Sequence, residues 1–409
     1  MVDLDIDFVR AQFPAFRHPL SAEWIHLENA GGSYVPAQVI DILHEFYISS
    51  KVQPYGPAGP AKAAGEAMDR GIELVPATFN CGSDELSLGP STSQNTYVAA
   101  NALRALMNNG DHVVVTDQDH EANIGAWRRL SETGIFIDEW KVDPETGLLS
   151  VDDLEELLTE RTKLVCVTHA SNLAATVNPI AAIAKLAHAA GALLAVDGVS
   201  YAPHSSIDVK TLDCDIYMYS MYKTFGPHVG AMFVRGELLD QLANQGHYFN
   251  SADRTKRLTP AGPNHAEVAA AAGVVDYYDA IHTHHGLAAG SPNERIAAVF
   301  ELFGAQEATV MAPLMNYLNQ ADVRLVGSPS VDHNVRAPTI AFVPDGATPE
   351  TVVGHLATRG IGVGHGDFYA KRLVDAMGIG AAGVVRVSMV HYNTATEIER
   401  CIEALAEVL

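Results

Sequence analysis

The sequence contains few cysteines and few basic residues. Its four cysteines, Cys81, Cys166, Cys214 and Cys401, are scattered and form no CxxC pair, so they indicate neither a zinc site nor a disulfide framework. Lysine and arginine number 26 against 49 aspartates and glutamates, which gives a formal net charge of -23. A chain this acidic is not expected to bind nucleic acid or an anionic membrane surface.

Long apolar runs are also missing. We find no uninterrupted apolar stretch of about 18 residues, so the sequence predicts no membrane span. The first residues, MVDLDIDFVRAQFP, are acidic and do not follow the basic-then-apolar pattern of a signal peptide, which predicts a cytoplasmic protein. The HTHH stretch at 282–285 has no carboxylate or cysteine at ligand spacing, and no metal site is predicted.

The chain is long enough for more than one core. Its 409 residues, 48% of them hydrophobic, predict one large and one smaller domain. Residues 1–35 are interpreted as an irregular arm that joins the small domain. Residues 36–290 are predicted to form the large domain and residues 291–409 a small α+β domain.

Apolar strands alternate with helices in the first of these domains. The strands HVVVTD (112–117), TKLVCVTHASN (162–172), ALLAVDG (192–198) and DIYMYS (215–220) are apolar on both faces, which predicts a parallel sheet covered on both sides. GAMFVR (230–235) is predicted to return along the sheet. In such sheets ligands bind at the carboxyl ends of the strands. Polar residues cluster there, at 117–120, 169–172, 197–200 and 220–223.

A short turn, Gly89-Pro90-Ser91-Thr92-Ser93, precedes a helix. Small hydroxyl residues at a helix start are usually caps. Free backbone N–H groups and the helix dipole also make such a start an anion site, so a phosphate is the alternative interpretation.

Lys223 follows the buried strand 215–220, just before a Gly226-Pro227 turn. A lysine at this position either extends to solvent or is held in a desolvated site. In the second case its pKa is lowered and the amine becomes a nucleophile toward an aldehyde such as pyridoxal phosphate (PLP). The rest of the chain has to decide between these two interpretations.

Two stretches carry a family resemblance, VDGVSYAPHSSIDVKTLDCDIYMYSMYKTFGPHVG and VRVSMVHYNT. With them the chain resembles the class V aminotransferase family, in the branch of cysteine desulfurases and selenocysteine lyases, from LENAGG to HYNTATEIERCIEAL. The resemblance implies an α/β fold, PLP fold type I, with a mostly parallel seven-stranded sheet in a large domain and a smaller α+β C-terminal domain. It also implies PLP as cofactor, a small amino-acid substrate and a homodimer.

The resemblance assigns the main chemical roles. Lys223 matches the lysine that forms the Schiff base with PLP and then moves protons. Asp197 matches the carboxylate that pairs with the pyridine nitrogen, so that the ring can act as an electron sink. His120 matches the histidine that stacks on the cofactor ring, and Arg386 matches the arginine that binds the substrate α-carboxylate.

The remaining predicted site residues have supporting roles. Thr92, Ser93 and Ser220 match phosphate contacts, and Asn172 matches the residue near the cofactor's phenolic oxygen and the substrate carboxylate. Asn29, in a polar glycine-rich turn, is predicted to approach the substrate. The site residues that depart from the family pattern, or lie on the loop that does, are Ser200, Tyr222, His365 and Tyr369.

These departures bear on the reaction. Tyr222 stands where the family usually has histidine, Ser200 where it has glutamine, and Gly262 where it has a threonine that reaches the partner subunit's phosphate. In the family a loop cysteine accepts sulfur from the substrate, and in GIGVGHGDFYAKRL Tyr369 falls at that position. A phenol cannot accept sulfur, so persulfide transfer is doubtful. His365 and Tyr369 are then candidates for recognition of the leaving group or side chain.

Three functions remain open from the sequence. The first is lyase chemistry at a C–S or C–Se bond of a small L-amino acid. The second is transamination or epimerisation on the same scaffold. The third is a catalytically silent PLP-fold binding protein, against which the joint presence of Lys223, Asp197, His120 and Arg386 argues, since binding alone needs no electron sink.

Overall fold

A computed structural model describes residues 3–409 of the chain. The strands are β1 (Ile25–His26), β2 (Leu86–Gly89), β3 (His112–Thr116), β4 (Phe136–Trp140), β5 (Thr162–Thr168), β6 (Leu193–Asp197), β7 (Ile216–Ser220), β8 (Gly230–Val234), β9 (Val323–Val326), β10 (Thr339–Pro344), β11 (Ile361–Gly362), β12 (Gly364–Gly366) and β13 (Val384–Ser388). The helices are α1 (Ile6–Ala11), α2 (Ala37–Ser49), α3 (Gly59–Leu74), α4 (Thr92–Arg104), α5 (Glu121–Arg128), α6 (Val151–Leu157), α7 (Ile180–Ala189), α8 (Val209–Leu212), α9 (Gly236–Gln241), α10 (His265–Ala270), α11 (Ala272–His284), α12 (Pro292–Leu318), α13 (Pro349–Thr358), α14 (Lys371–Ala376) and α15 (Ala395–Leu405).

The largest sheet in residues 3–409 has seven strands in the order β2-β8-β7-β6-β5-β3-β4. The strands β7, β6, β5, β3 and β4 run parallel to their neighbours within that group, whereas β8 is antiparallel to β7 and to β2. The predicted α/β class with a mostly parallel seven-stranded sheet is therefore confirmed. The returning strand near 230 is confirmed as β8.

Alternate residues of the central strands point into two separate cores. Val114, Val165 and Val196 belong to the core on one face of the sheet. Val113 and Leu164 belong to the core on the other face. Because side chains alternate along a strand, a strand that is buried on both faces is apolar throughout, which is the pattern in the sequence.

A second sheet carries the strand that bears Arg386. Within residues 3–409 it has the antiparallel order β12-β13-β10-β9, and Arg386 lies opposite Ala341 of β10 and Gly364 of β12. The short strand β1 pairs in parallel with β11, and Glu28 forms an isolated bridge with Ser388. These pairings bring the N-terminal segment beside β13. The domain boundaries at 35 and 290 stay predictions.

Several local predictions differ from the structure. The arm at 1–35 was predicted to be irregular, but its described part contains the helix α1. Asp5 caps this helix by accepting a hydrogen bond from Phe8 N. The edge strand β4 and the helices α10 and α11 were not predicted. Phe136 at the start of β4 is exposed, so that strand lacks the two-sided apolar pattern of its neighbours. In residues 3–409 no helix has the length and apolarity needed to cross a membrane.

Candidate active site

The polar ends of the parallel strands meet in one cavity of about 300 Å³. It lies where β5, β6 and β7 end and where α4 and α5 begin. The residues that line it are Ser91, Thr92, Ser93, His120, Ala122, Thr168, Asn172, Asp197, Val199, Ser200, Ser220, Tyr222, Lys223 and His228. Every residue predicted to hold PLP is among them, although the individual roles stay predictions.

Lys223 ends a single 3-10 turn, Met221–Lys223, that follows β7 directly. Its side chain is 8% exposed and lines the cavity, so it does not extend to bulk solvent. Burial first, and then the charge of Arg386, lower the pKa of Lys223 to about 8, while Asp197 and Glu28 oppose the shift. A lysine of this kind has a substantial neutral fraction near pH 8 and is a nucleophile there.

Asp197 is the last residue of β6 and is 3% exposed. Its Oδ1 accepts a hydrogen bond from Val199 N at 2.8 Å. Burial raises the pKa of Asp197 to about 6, although the Val199 N–H and Lys223 pull it down. A buried carboxylate without a close cationic partner is unfavourable, so a protonated ring nitrogen placed beside it would be stabilised.

His120 caps the N-terminus of α5. Its Nδ1 accepts a hydrogen bond from Ala122 N at 3.0 Å, which leaves the proton of the neutral ring on Nε2. Burial, followed by the charges of Lys223 and Arg386, lowers the pKa of His120 to about 3. His120 is therefore a neutral ring at physiological pH, suited to stacking and to donating a hydrogen bond from Nε2.

The start of α4 forms one end of the cavity. Ser91 caps this 13-residue helix by accepting from Gln94 N, and the hydroxyls of Thr92 and Ser220 are 2.7 Å apart. Gly230 of β8 packs directly on this turn, because a Cβ there would lie 2.4 Å from the carbonyl carbon of Ser91. The geometry favours the anion-site interpretation of the hydroxyl turn.

His228 is a cavity residue that the sequence analysis missed. Its ring stacks on Tyr222, with centroids 4.8 Å apart and planes 3° from parallel. The pair lines the cavity together with the hydroxyl turn at 91–93. The signal was present in KTFGPH, because a Gly-Pro turn can return the chain toward the residue before the lysine. Ala122, Thr168 and Val199 were also missed.

Arg386 is held beside the cavity and does not line it. It is 3% exposed, and its Nη1 donates to the carbonyl oxygen of Asn172 at 3.3 Å. Its guanidinium carbon lies 3.8 Å from the ring centre of Phe368, a cation–π contact. Its Nη2 pairs with Glu28. Phe368 and Glu28 were not among the predicted site residues.

The other predicted substrate residues are less closely gathered. Tyr369 is 73% exposed, with its ring centre 5.3 Å from that of His120 and its carbonyl oxygen accepting from Glu121 N. His365 is exposed on β12 and does not line the cavity. Asn29 is 2% exposed, and its amide is engaged by Ser388 O and the hydroxyl of Tyr392. Its contact with the substrate stays a prediction.

The residues present fit PLP. A buried amine, a buried carboxylate, a neutral ring and a hydroxyl-rich helix start share one cavity, and these are the groups that an aldehyde, a pyridine nitrogen, an aromatic face and a phosphate require. Asn172 Oδ1 is buried without a hydrogen-bond partner among the described residues, which leaves an acceptor free beside the cavity. In the described part of the chain no group of three His, Cys, Asp or Glu could hold a metal ion.

Comparison with known proteins shows the family of the chain. The family model for aminotransferase class-V matches residues 25–401. The chain is 35% identical to the aminotransferase-like protein FGM3 of Gibberella zeae over 99% of this chain and 98% of that protein. It is 30% identical to the cysteine desulfurase-like protein ustD of Aspergillus flavus over 99% of this chain and 91% of that protein.

Solved structures share the fold. An apo cysteine desulfurase from Thermococcus onnurineus NA1 superposes with a TM-score of 0.86 and 23% identity, over 100% of this chain and 98% of the other. The fold and the family define a PLP-dependent enzyme. The chain belongs to the class V aminotransferase family.

Proposed function

We propose that the enzyme cleaves the C–S or C–Se bond of a small L-amino acid by β-elimination, without transfer of sulfur to a protein thiol. In this proposal Lys223 and His120 act on the substrate, and Arg386 binds its α-carboxylate. The similarity to cysteine desulfurase-like proteins supports a sulfur-containing or selenium-containing amino acid as substrate. The observation that carries the proposal is that none of the four cysteines lines the cavity.

Persulfide transfer needs a reactive thiolate at the site. All four cysteines lie in the described residues, and the cavity lining contains none of them. Cys166, Cys214 and Cys401 are fully buried, and burial raises the pKa of Cys401 to about 12. Burial also raises the pKa of Cys81, the one that is partly exposed, to about 12. Such thiols are protonated at neutral pH and do not attack sulfur.

Elimination needs no thiol. Bound PLP supplies an electron sink for the electrons released at Cα. The Lys223 amine takes the Cα proton, the Cα–H electron pair forms the Cα=Cβ bond, and sulfur or selenium leaves with the electrons of its bond to Cβ. The Nε2–H of His120 can donate a hydrogen bond to the departing atom. The released 2-aminoacrylate then takes up water and loses ammonia, which yields pyruvate without any oxidant or reductant.

We expect the holoenzyme to release pyruvate together with an equal amount of the leaving group, which is sulfide, thiol or selenide, or the sulfenate in the case of a sulfoxide. The measurement is product analysis with L-cysteine, an S-alkyl-L-cysteine, its sulfoxide and L-selenocysteine. Alanine with protein-bound persulfide would mean a desulfurase. A 2-keto acid that appears only with a second keto acid would mean a transaminase, and inversion to the D-amino acid would mean an epimerase. Any of these three results overturns the proposal.

Cys81 offers a matched control for the product analysis. Since it is the partly exposed thiol among the four cysteines, Cys81→Ala should leave the rate of pyruvate formation unchanged. Loss of activity in this variant, with folding intact by circular dichroism, would show that a protein thiol takes part in the reaction.

We also propose that the enzyme is a homodimer that uses the exposed face of α2. Tyr47 and Ile48 are 54% and 67% exposed there, and Val52 and Tyr55 follow in the next loop at 46% and 60%. Soluble monomers rarely expose so many large apolar side chains in one short stretch. The helix α10, which follows Gly262, packs on α2. The family resemblance assigns position 262 to the subunit boundary.

We expect the wild-type protein to run at twice the chain mass in light scattering. Ile48→Asp should shift it to the monomer at micromolar concentration, because a buried unpaired carboxylate is costly. Leu20→Asp is the control, since Leu20 is 76% exposed and lies outside α2 and the loop that follows it. A dimer that survives Ile48→Asp would rule out this face, and a monomeric wild type would rule out the dimer.

A further inference from the structure

The pairing of Arg386 with Glu28 is not explained by the chemistry above. Arg386 is the candidate receptor for the substrate α-carboxylate, yet a carboxylate of the protein itself is bound to it. Glu28 Oε1 pairs with Arg386 Nη2, and Glu28 Oε2 is buried without a hydrogen-bond partner among residues 3–409. The positive charge that should attract a substrate is already neutralised.

The contact uses the atom that a substrate needs. A guanidinium binds a carboxylate in two-point fashion either through Nη1 and Nη2 or through Nε and Nη2, so Nη2 belongs to both faces. Nη1 of Arg386 donates to the Asn172 carbonyl, and its buried Nε has no partner among the described residues. A second carboxylate that bound through Nη2 would meet the negative charge of Glu28 at short range.

Arg386 does not depend on Glu28 for its position. The Asn172 carbonyl and the Phe368 ring hold the guanidinium from other directions. Glu28 is less confined than Arg386, because its side chain is 25% exposed whereas that of Arg386 is 3% exposed. Removal of the Glu28 charge should therefore leave the Arg386 guanidinium in its position, with Nη2 available to another carboxylate.

Space around the Glu28 carboxylate is kept open by two glycines. A Cβ on Gly31 would lie 3.0 Å from Glu28 Oε1, and a Cβ on Gly364 would lie 3.1 Å from Glu28 Cδ and 2.7 Å from the Phe368 ring. A side chain at either position would crowd the carboxylate. The carboxylate therefore occupies a fitted position next to Arg386, while part of the Glu28 side chain remains exposed.

We propose that Glu28 is a specificity-determining residue that occupies Arg386 until the α-carboxylate of a substrate displaces it. The proposal rests on the proposed role of Arg386 and deepens the proposed function. A ligand that offers only a carboxylate must compete with an internal carboxylate at high effective concentration, and it binds weakly. An amino acid gains additional binding energy from its bond to the cofactor and displaces Glu28. Glu28 thus excludes simple carboxylic acids from the site.

The test titrates propionate, a carboxylate without an amino group, into the holoenzyme and follows the visible absorption of bound PLP. We expect Glu28→Gln to bind propionate about 10-fold more tightly or more than wild type, because a neutral amide competes poorly for Arg386. The same variant should lower KM for the amino-acid substrate and leave kcat nearly unchanged. Glu132→Gln, at an exposed site on another segment, should change neither value.

The double variant Glu28→Gln/Arg386→Ala completes the cycle. In a protein that already carries Arg386→Ala, Glu28→Gln should have no effect on propionate binding. The reason is that both substitutions act through the same Glu28–Arg386 contact. If Glu28 merely positions Arg386, Glu28→Gln will weaken propionate binding and raise KM, which would contradict the proposal. Propionate binding that is the same in Glu28→Gln and wild type would also contradict it. Propionate binding involves no bond cleavage, so this result is separate from the product analysis that tests the lyase.

Discussion

Lys223→Ala should remove the visible absorption band that disappears on borohydride treatment and lower kcat by about 10³-fold or more. The variant loses both the covalent link to PLP and the amine that moves the Cα proton, and proton transfer alone contributes about 10²–10⁴-fold. Lys223 is buried and lines the same cavity as Asp197 and the hydroxyl turn, so both losses are expected at one site. Absorption spectra and product assays measure the two losses separately.

The pKa of Lys223 gives this prediction a pH dependence. Below its pKa of about 8 the amine is mostly protonated and cannot attack an aldehyde. The rate at which apoenzyme captures PLP should therefore rise with pH through about 8 and level off above it. Lys185→Ala, at an exposed site on α7, is the control and should keep the band and the rate. A band retained in Lys223→Ala would assign the covalent link to another residue.

Asp197→Asn should lower kcat by about 10²–10³-fold while PLP still binds. The carboxylate is expected to keep the cofactor nitrogen protonated, and removal of one preorganised electrostatic group at a reacting centre has about this effect. Asn retains the Oδ1 that accepts from Val199 N, so the loop at 198–200 should keep its shape. Steady-state kinetics report kcat, and a spectral titration reports the affinity for PLP. A kcat within about 3-fold of wild type would contradict the role of Asp197.

The same substitution should stabilise the apoenzyme. Because burial raises the pKa of Asp197 from its usual value to about 6, the folded apoenzyme binds a proton more tightly than the unfolded chain does. Above pH 6 the carboxylate is charged in both states, and its desolvation costs the folded state about 3 kcal/mol. Asn carries no charge, so the free energy of unfolding should rise by up to that amount at pH 8.

The expected pH dependence is opposite to that of a carboxylate in an ion pair, whose charge stabilises the folded state at high pH. The gain from Asp197→Asn should shrink as pH falls from 6 toward 4, because the wild-type carboxyl then takes up a proton in the folded state and no longer pays the desolvation cost of a charge. Urea unfolding of the apoenzyme at pH 8 and pH 4 measures this. Asp3→Asn, at an exposed position, should show no gain at either pH. A loss of stability at pH 8 would mean that the apo site is built around the charge.

The sheet could be predicted because its signal is local. Val113 to Val115 and Leu164 to Val167 are apolar without interruption, and each stretch is short enough to be a strand. The edge strand β4 could not be predicted in the same way, because FIDEW carries polar and exposed residues. The helix α1 was missed because its one fully buried side chain, Val9, gives no periodic pattern.

The location of the residues predicted to hold PLP followed from the strand ends, and the family resemblance supplied their predicted roles. Lys223, Asp197 and Thr92 lie at such ends or at a helix start, and the carboxyl ends of parallel strands must meet at one edge of the sheet. The location of the residues predicted to bind the substrate did not follow from the strand ends. His365, Tyr369 and Asn29 belong to segments whose placement depends on how the second sheet packs, and neither strand periodicity nor turn residues specify that packing.

The sequence by itself determined the α/β sheet, the edge of the sheet where the cavity lies and PLP as the cofactor, because strand periodicity, helix starts and family motifs are encoded over short stretches. Only the tertiary structure showed that Glu28 neutralises Arg386 and that His228 stacks on Tyr222. The Glu28–Arg386 pair joins residues 358 positions apart. It forms because the Glu28–Ser388 bridge and the β1–β11 pairing fold the N-terminal segment onto β13. Contacts of this kind depend on packing between distant segments, which local patterns do not record.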